Sequence, residues 1–561
     1  MNRLDGAASP PHRVAPRLLL ALILLVLLAL KIAHHSAGIS YEPDPSLYQD
    51  IAAHVRDGHG LVTDASLFNA GFSHFPHPTP LYPLWPLVLG HLGRFFPLES
   101  LAIWLPSLCY FAMLLLAYRL AARLLPGPLF PGFAAPAPHA GHAAVLVLGL
   151  TNPMFFSTSQ PFTEGPAYLL LILALTRAHA LCARPGALRG LEVGAWMGLL
   201  VLCRSQLALA PLALGVALAW AVLRLGARRY APVALAFAAG FMAVLGAQLW
   251  HISSFTAEPR LAYIMRFDLY REPSSLPPLQ IMVATDGPWE YFKDRLSGLP
   301  VAFGFGSSSY LHTFAGWALA LPLALPFALR DGWHALRARG LPALWRRMHS
   351  PAALFWIFLA TLTAAGLLSL HTIHKAWFNE WNFGTRHALT AVFALLAALL
   401  YLARRPGLSR LLALLLLCGA SLGGALRIAH FIQRPQDPRR SPLADVRDTG
   451  DVAIVAWLES RAAAEPGLRV AAPDIEIQHL ARLGDGVGYH WFYRTFTWDE
   501  LLVLFDELGA RYLLLRVDAP PMEFQRDLAR FDRGFAPVIT LSSFTVFRRR
   551  TTDPGPPPAP P

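Results

Sequence analysis

VAPRLLLALILLVLLALKIAHHSAGISYEPDPSLY, residues 14–48, decides the architecture. Its first part, 14–34, is a mostly apolar run of the length a helix needs to cross the roughly 30 Å hydrocarbon layer of a bilayer. No small-residue cleavage site follows it cleanly, so it reads as a retained anchor rather than a signal peptide. Directly after it come Tyr41-Glu42-Pro43-Asp44-Pro45-Ser46-Leu47-Tyr48. A carboxylate at the membrane boundary is costly unless hydrated or paired, which makes Glu42 and Asp44 functional candidates. Prolines on both sides of Asp44 predict an extended backbone that stops the first helix and presents the acid at the surface. A hydrated loop start with a helix-terminating proline is the plainer reading of the same residues. Leu47 to Gly60 then reads as a short amphipathic helix ended by glycine, and His74-Phe75-Pro76-His77-Pro78-Thr79-Pro80-Leu81-Tyr82 follows, dense in proline, histidine and aromatic rings.

The rest of the chain extends this pattern. Apolar runs at 98–123, 140–157, 164–182, 188–203, 206–225, 230–251, 311–329, 351–371, 387–403 and 409–431 bring the expected spans to eleven, give or take one. The piece 80–96, with three prolines in its first half, suits an interfacial or re-entrant helix better than a span. Over the 561 residues the apolar set, counting glycine in place of tyrosine, is about 60%, against roughly 45–50% in soluble domains, and charged residues are 15% against about 25%. Mean hydropathy is +0.42. These values exclude a disordered, collagenous or ordinary soluble protein.

The net charge of +12 does not point to nucleic acid, because the arginines are spread over short loops with no compact basic domain. Arg119 and Arg123, Arg177, Arg184 and Arg189, Arg224, Arg228 and Arg229, the run from Arg330 to Arg347, and Arg404, Arg405 and Arg410 fall on alternate loops and span ends, with Arg3, Arg13 and Arg17 before or at the start of the first span. The positive-inside rule makes those loops cytoplasmic. The outer side then receives 35–97, 252–310 and everything after 431, and the protein is expected in the inner membrane with its N-terminus in the cytoplasm. Cys109, Cys182, Cys203 and Cys418 lie in or at the ends of apolar runs, with the spacing of neither a zinc site nor a disulfide framework.

The segment 436–550 is of another kind: charged, broken by glycine and proline, and patterned as a small α/β unit after a membrane domain at 1–435. LRVAAP (468–473), RYLLLRV (511–517) and VITLSSFTVF (538–547) read as strands. Thr497 to Glu500 form a capping box, and Phe496 with Leu501 a hydrophobic staple, for a helix over 498–508 that stops at Gly509. Asp485 to Trp491 reads as a loop, and the tail 551–561 is proline-rich and expected to be disordered.

Further candidates lie at the outer ends of later spans. Glu164, in Phe162-Thr163-Glu164-Gly165-Pro166, either caps a helix N-terminus or stands beside Asp44 to share a metal, a proton or a sugar hydroxyl. Arg204, between two spans, and Lys375 and Arg386, in the loop 371–387, either hold a lipid phosphate or make head-group contacts and surface ion pairs. Trp377, Trp381 and Phe383 either stack on a sugar or belong to the interfacial aromatic belt. His74, His77, His371 and His374 are possible ligands of a divalent metal, although no two of them stand at i, i+4.

In this order the motifs resemble those of a known family. One span, an ExD acid pair at its outer end, a juxtamembrane helix ending in glycine, the Pro80-Leu81-Tyr82 segment, an acid opening a later span, an outer arginine, a basic–aromatic loop and a C-terminal outer α/β domain are similar to the GT-C superfamily of integral-membrane glycosyltransferases. The nearest branch contains the protein O-mannosyltransferases and the lipid A aminoarabinose transferase. The resemblance covers nearly the whole chain and is strongest over 40–85, where Asp44, Tyr48, Ile51, Gly58 and Pro80-Leu81-Tyr82 keep the family's spacing.

The resemblance implies a polytopic helical fold and transfer of a sugar from a polyprenyl-phosphate carrier to an envelope glycan, lipid or protein acceptor. It implies Asp44 as general base, Glu42 as its partner and Glu164 as the second acid. Arg204 and Arg386, with Lys375 as a third, would hold the donor phosphate, and Tyr48, His77, Tyr82, Trp377 and Trp381 would line the substrate site. His387 stands where the family carries tyrosine after the late arginine. No cofactor is assigned, and metal dependence varies in the family. A transporter or flippase of lipid-linked saccharides is the alternative, and it predicts pseudo-symmetric halves that the sequence does not display. A scaffold that has lost its acids is opposed by Glu42, Asp44 and Glu164 standing together.

Overall fold

The computed structural model describes residues 14–36, 43–66, 76–78, 83–130, 139–159, 162–253, 317–348, 353–364, 391–433, 452–473, 487–492, 498–506, 509–517, 523–525, 527–541 and 544–550. The chain is mainly helical. It runs from α1 (Val14–Ser36) to α2 (Pro43–Asp57), then through three two-residue strands, β1 (Val62–Thr63), β2 (Ala65–Ser66) and β3 (His77–Pro78). After them come α3 (Leu84–Gly93), α4 (Leu98–Leu124), α5 (Ala140–Gly149), α6 (Asn152–Ser157), α7 (Glu164–Ala183) and α8 (Ala187–Cys203). A 3₁₀ turn (Ser205–Ala208) leads into α9 (Leu209–Leu225) and α10 (Ala227–Ser253). The late helices are α11 (Ala320–Met348), α12 (Ala353–Ala364), α13 (Ala391–Arg404) and α14 (Leu408–Gln433).

Each of the eleven expected apolar runs carries a helix among the described residues. Among the described residues, five helices, within α1, α4, α7, α10 and α14, are long and apolar enough to cross a membrane, and five shorter apolar ones accompany them. α3 has ten residues, roughly 15 Å of helix, which is too short to span.

Three expectations change. The run 140–157 is two helices, because Pro153 starts a new one at its N1/N2 position. The arginine-rich stretch after 329, expected as loop, is helical through α11, which breaks at Gly340 (φ 70°). Alanine, leucine and arginine are strong helix formers whether or not they are buried. The backbone at Asp44 is not extended: α2 begins at Pro43, so Asp44 stands in its first turn. A proline in the first turn loses no hydrogen bond, because the first four N–H groups of a helix have no partner within it.

The bundle core is built on Leu, Ala and Phe from α4, α5, α7, α9, α13 and α14. Its tightest joint is α8 against α10. Gly190, Gly194 and Gly198 repeat every four residues, and a Cβ at Gly194 would collide with the carbonyl oxygen of Phe237. Small residues at this spacing let two helix backbones approach closely in a membrane, where dispersion contact replaces the hydrophobic effect as the driving force.

The rest of the chain builds an α/β unit. α15 (Val452–Ala464) precedes β4 (Leu468–Pro473) and β5 (Val487–Phe492). Then come α16 (Trp498–Asp506), β6 (Tyr512–Arg516), α17 (Leu528–Gly534), β7 (Phe535–Leu541) and β8 (Phe544–Arg549). The sheet order is β2-β5-β4-β6-β8-β7; the first four strands run parallel, and β7 and β8 are antiparallel.

The stretch expected as a loop, 485–491, therefore contains an inner strand, β5, and the single strand expected over 538–547 is a hairpin. Both errors have a physical origin. A parallel strand buried on both faces shows no alternation, and β5 contains glycine and histidine where a strand reading looks for branched residues. The period of two is plain in β4 and β6. Leu468, Val470, Ala472, Tyr512 and Leu514 point to one apolar cluster, and Ala471, Leu513 and Leu515 to the other. The first cluster also receives Leu47 and Ile51 of α2. Together with β2, this ties the segment after the first helix to the sheet.

Candidate active site

Of the acids and arginines singled out in the sequence, Asp44 stands in the first turn of α2, Glu164 opens α7 and Arg204 ends α8. α1 hands the chain to α2. One face of α2 is held by the sheet through Leu47 and Ile51, and the other by α3 and α4 through Tyr48 and Ala52, which pack on Trp85, Leu89 and Leu98. Gly90 of α3 permits the approach, since a Cβ there would lie 2.6 Å from the carbonyl oxygen of Ala52. Tyr48, nominated as a substrate contact, is 1% exposed within this packing. The backbone of Asp44 is thus fixed on a helix gripped from both sides.

Glu164 is the first residue of α7 and Arg204 the residue that ends α8, and the α7–α8 hairpin brings them together. Arg204 Nη1 lies 2.9 Å from Glu164 Oε1 as an ion pair and donates a hydrogen bond of 2.9 Å to Thr163 Oγ1. Both side chains are buried, Glu164 completely. Two residues nominated for separate tasks are therefore one unit here.

The sequence reading passed over Lys31, near the end of α1. It is buried and donates to Phe155 O (2.5 Å), Thr158 Oγ1 (2.9 Å) and Ser159 Oγ (2.6 Å). Its ammonium also stands over the rings of Tyr110 and Phe155, at 4.7 and 4.4 Å from their centroids. His35 Nε2 meets Ser107 Oγ at 3.1 Å beside it. An ionisable residue inside a membrane helix is a signal by itself, and this is one of three lysines in the sequence.

A second missed group lies on α2 and the turn after it. Asp50, His54 and Asp64 are 7%, 5% and 7% exposed. His54 Nε2 meets Asp64 Oδ2 at 2.9 Å and stands 3.9 Å from Asp50 Oδ1. Asp50 Oδ2 accepts from Thr63 Oγ1 (2.5 Å) and from the Asp64 backbone N–H (3.0 Å). Burial, and then the charge of Asp64, push the Asp50 carboxyl up to about 7. The i, i+4 spacing of Asp50 and His54 was the available signal.

Glu42, Tyr82, His74, His371, His374, Lys375, Trp377, Trp381, Phe383 and Arg386 lie outside the described residues, as do the side chains of Asp44 and His77. A cavity of about 280 Å³ opens in the bundle among α4, α7, α12 and α13, walled by Leu120, Leu175, Phe355 and Leu396, with Arg404 in its lining.

Solved structures of membrane glycosyltransferases share the overall fold of this chain. The apo oligosaccharyltransferase of Archaeoglobus fulgidus superposes with a TM-score of 0.53 at 12% identity, over 95% of this chain and 75% of that one. ArnT from Cupriavidus metallidurans bound to undecaprenyl phosphate superposes with a TM-score of 0.51 at 13% identity, over 96% of this chain and 99% of that one. At such identities the likeness is one of fold. No protein-family model and no curated protein matches the sequence.

Proposed function

We propose that this membrane protein is a glycosyltransferase that takes a sugar from a polyprenyl phosphate and passes it to an envelope acceptor on the non-cytoplasmic face. The observation that carries this reading is the station of Asp44, at the start of a helix held between bundle and sheet immediately after the first span, in a chain with the GT-C fold. ArnT, with that fold, is bound to undecaprenyl phosphate.

In this scheme Asp44 accepts the acceptor's proton as the anomeric carbon is attacked and prenyl phosphate departs. A positioned carboxylate contributes about 10²–10⁴-fold to such a step. Arg204 supplies positive charge for the leaving phosphate, together with Arg386 and Lys375. Glu164 holds the Arg204 guanidinium in place from 2.9 Å. The inner membrane, with the sheet outside, is the location this scheme requires. In support, arginines gather at the ends away from the sheet, where Arg404 donates to Pro126 O at 3.2 Å.

The test is Asp44→Asn in a strain whose native gene is deleted. Sugar transfer is expected to fall at least a hundredfold, with carrier-linked sugar accumulating in the lipid extract and the protein still in the membrane. Activity within a few-fold of wild type removes Asp44 as the base.

A further inference from the structure

Asp50, His54 and Asp64 offer one imidazole nitrogen and two carboxylate oxygens, all within 4.8 Å of one another. Two carboxylates and one imidazole converge in a buried site, and these are donor types that hold a divalent cation. Donors about 2.0–2.1 Å from a tetrahedral zinc ion stand roughly 3.3 Å apart. The His54 nitrogen stands 2.9 Å from one carboxylate oxygen and 3.9 Å from the other, on either side of that value.

The surroundings are those of a metal site as well. Thr63 and the Asp64 backbone hold one oxygen of Asp50 and leave the other toward His54. His54 Nδ1 meets His59 Nδ1 at 3.3 Å, which fixes the ring about its long axis. The three donors come from two pieces of chain, α2 and the β1–β2 turn. That turn is bonded to the sheet, since the Tyr489 N–H donates to Asp64 O at 2.8 Å.

We propose that Asp50, His54 and Asp64 bind one divalent transition-metal ion, zinc, which fastens α2 to the strand that β2 adds to the sheet. Imidazole among the donors favours zinc over magnesium or calcium. The site is separate from Asp44, which lies six residues, about 9 Å of helix, toward the N-terminus of α2. The ion acts by holding that helix in register and takes no part in the transfer step, and the inference does not depend on the transferase reading.

The test uses the full chain in detergent, purified through a tag without histidine, stripped with EDTA, loaded with zinc chloride and desalted. Elemental analysis is expected to find about one zinc per chain in wild type and in Asp44→Asn, and the ion should raise the melting temperature of both. His54→Gln and Asp64→Asn should bind at least a hundredfold more weakly and show no shift. Thr63→Val keeps all three donors and should retain the ion with affinity lowered about tenfold. Less than one zinc in ten wild-type chains overturns the proposal whether or not any variant folds. So does retention by His54→Gln and Asp64→Asn equal to wild type, or loss of the ion in Asp44→Asn.

Discussion

Arg204 and Glu164 are both buried and form an ion pair at 2.9 Å. Removing one partner of such a pair typically costs about 3–5 kcal/mol, because the other is left uncompensated in low dielectric, whereas replacing both with apolar groups is often neutral. Arg204→Ala and Glu164→Gln should therefore each lower the melting temperature in detergent markedly, and the double variant Glu164→Leu/Arg204→Met should recover most of that loss while staying inactive. Single variants that melt like wild type would show that the pair is hydrated and contributes little. Both residues were legible in the sequence as boundary charges; their pairing was not, because 40 positions separate them and only the α7–α8 hairpin brings them together. The same holds for Asp64. Nothing in its neighbourhood along the chain relates it to His54, and the fold of the β1–β2 turn supplies the relation.

Among elements, the α8–α10 joint depends on the missing side chain at Gly194, and Gly240 meets the Leu191 carbonyl in the same way from the other helix. Gly194→Leu should force the backbones apart. Overpacking of this kind costs about 1–3 kcal/mol, to be seen as a lower melting temperature and a smaller yield of monodisperse protein; an unchanged melting curve would refute the close approach. Helices were the legible elements, since an apolar run of spanning length has few alternatives. The flanking prolines predict an extended first turn for α2, because proline breaks a helix interior, whereas at Pro43 it serves as a helix start. β5 leaves no alternating signature in the sequence, because a strand buried on both faces carries no period of two.

On the scale of the whole molecule, an early and a late segment of the chain meet. α2 and β2 come from the segment after the first span, yet they complete the core and the edge of a sheet whose other strands lie beyond residue 467. The α/β character of the late segment is legible in its composition, but the contribution of residues 47–66 is not, because it depends on which edge of the sheet stays open. The orientation assigned above has a direct check. A phosphatase reporter fused after Pro435 should be active only outside the cytoplasm, and a cytoplasmic signal would invert the scheme and remove the proposed site from its substrates.

The partnership of Ser66 with His490 also sets a timetable for synthesis. Some 420 residues separate the two positions, and a ribosome adding about 5–20 residues per second needs roughly 20–85 s to bridge that gap. Throughout that interval residues 47–66 wait with Leu47 and Ile51 uncovered and the strand edge unfilled, so an early-made segment is among the last to reach its resting place. A nascent chain in that condition is a client for whatever holdase or protease patrols the compartment, and slow or interrupted translation should be felt there before anywhere in the bundle.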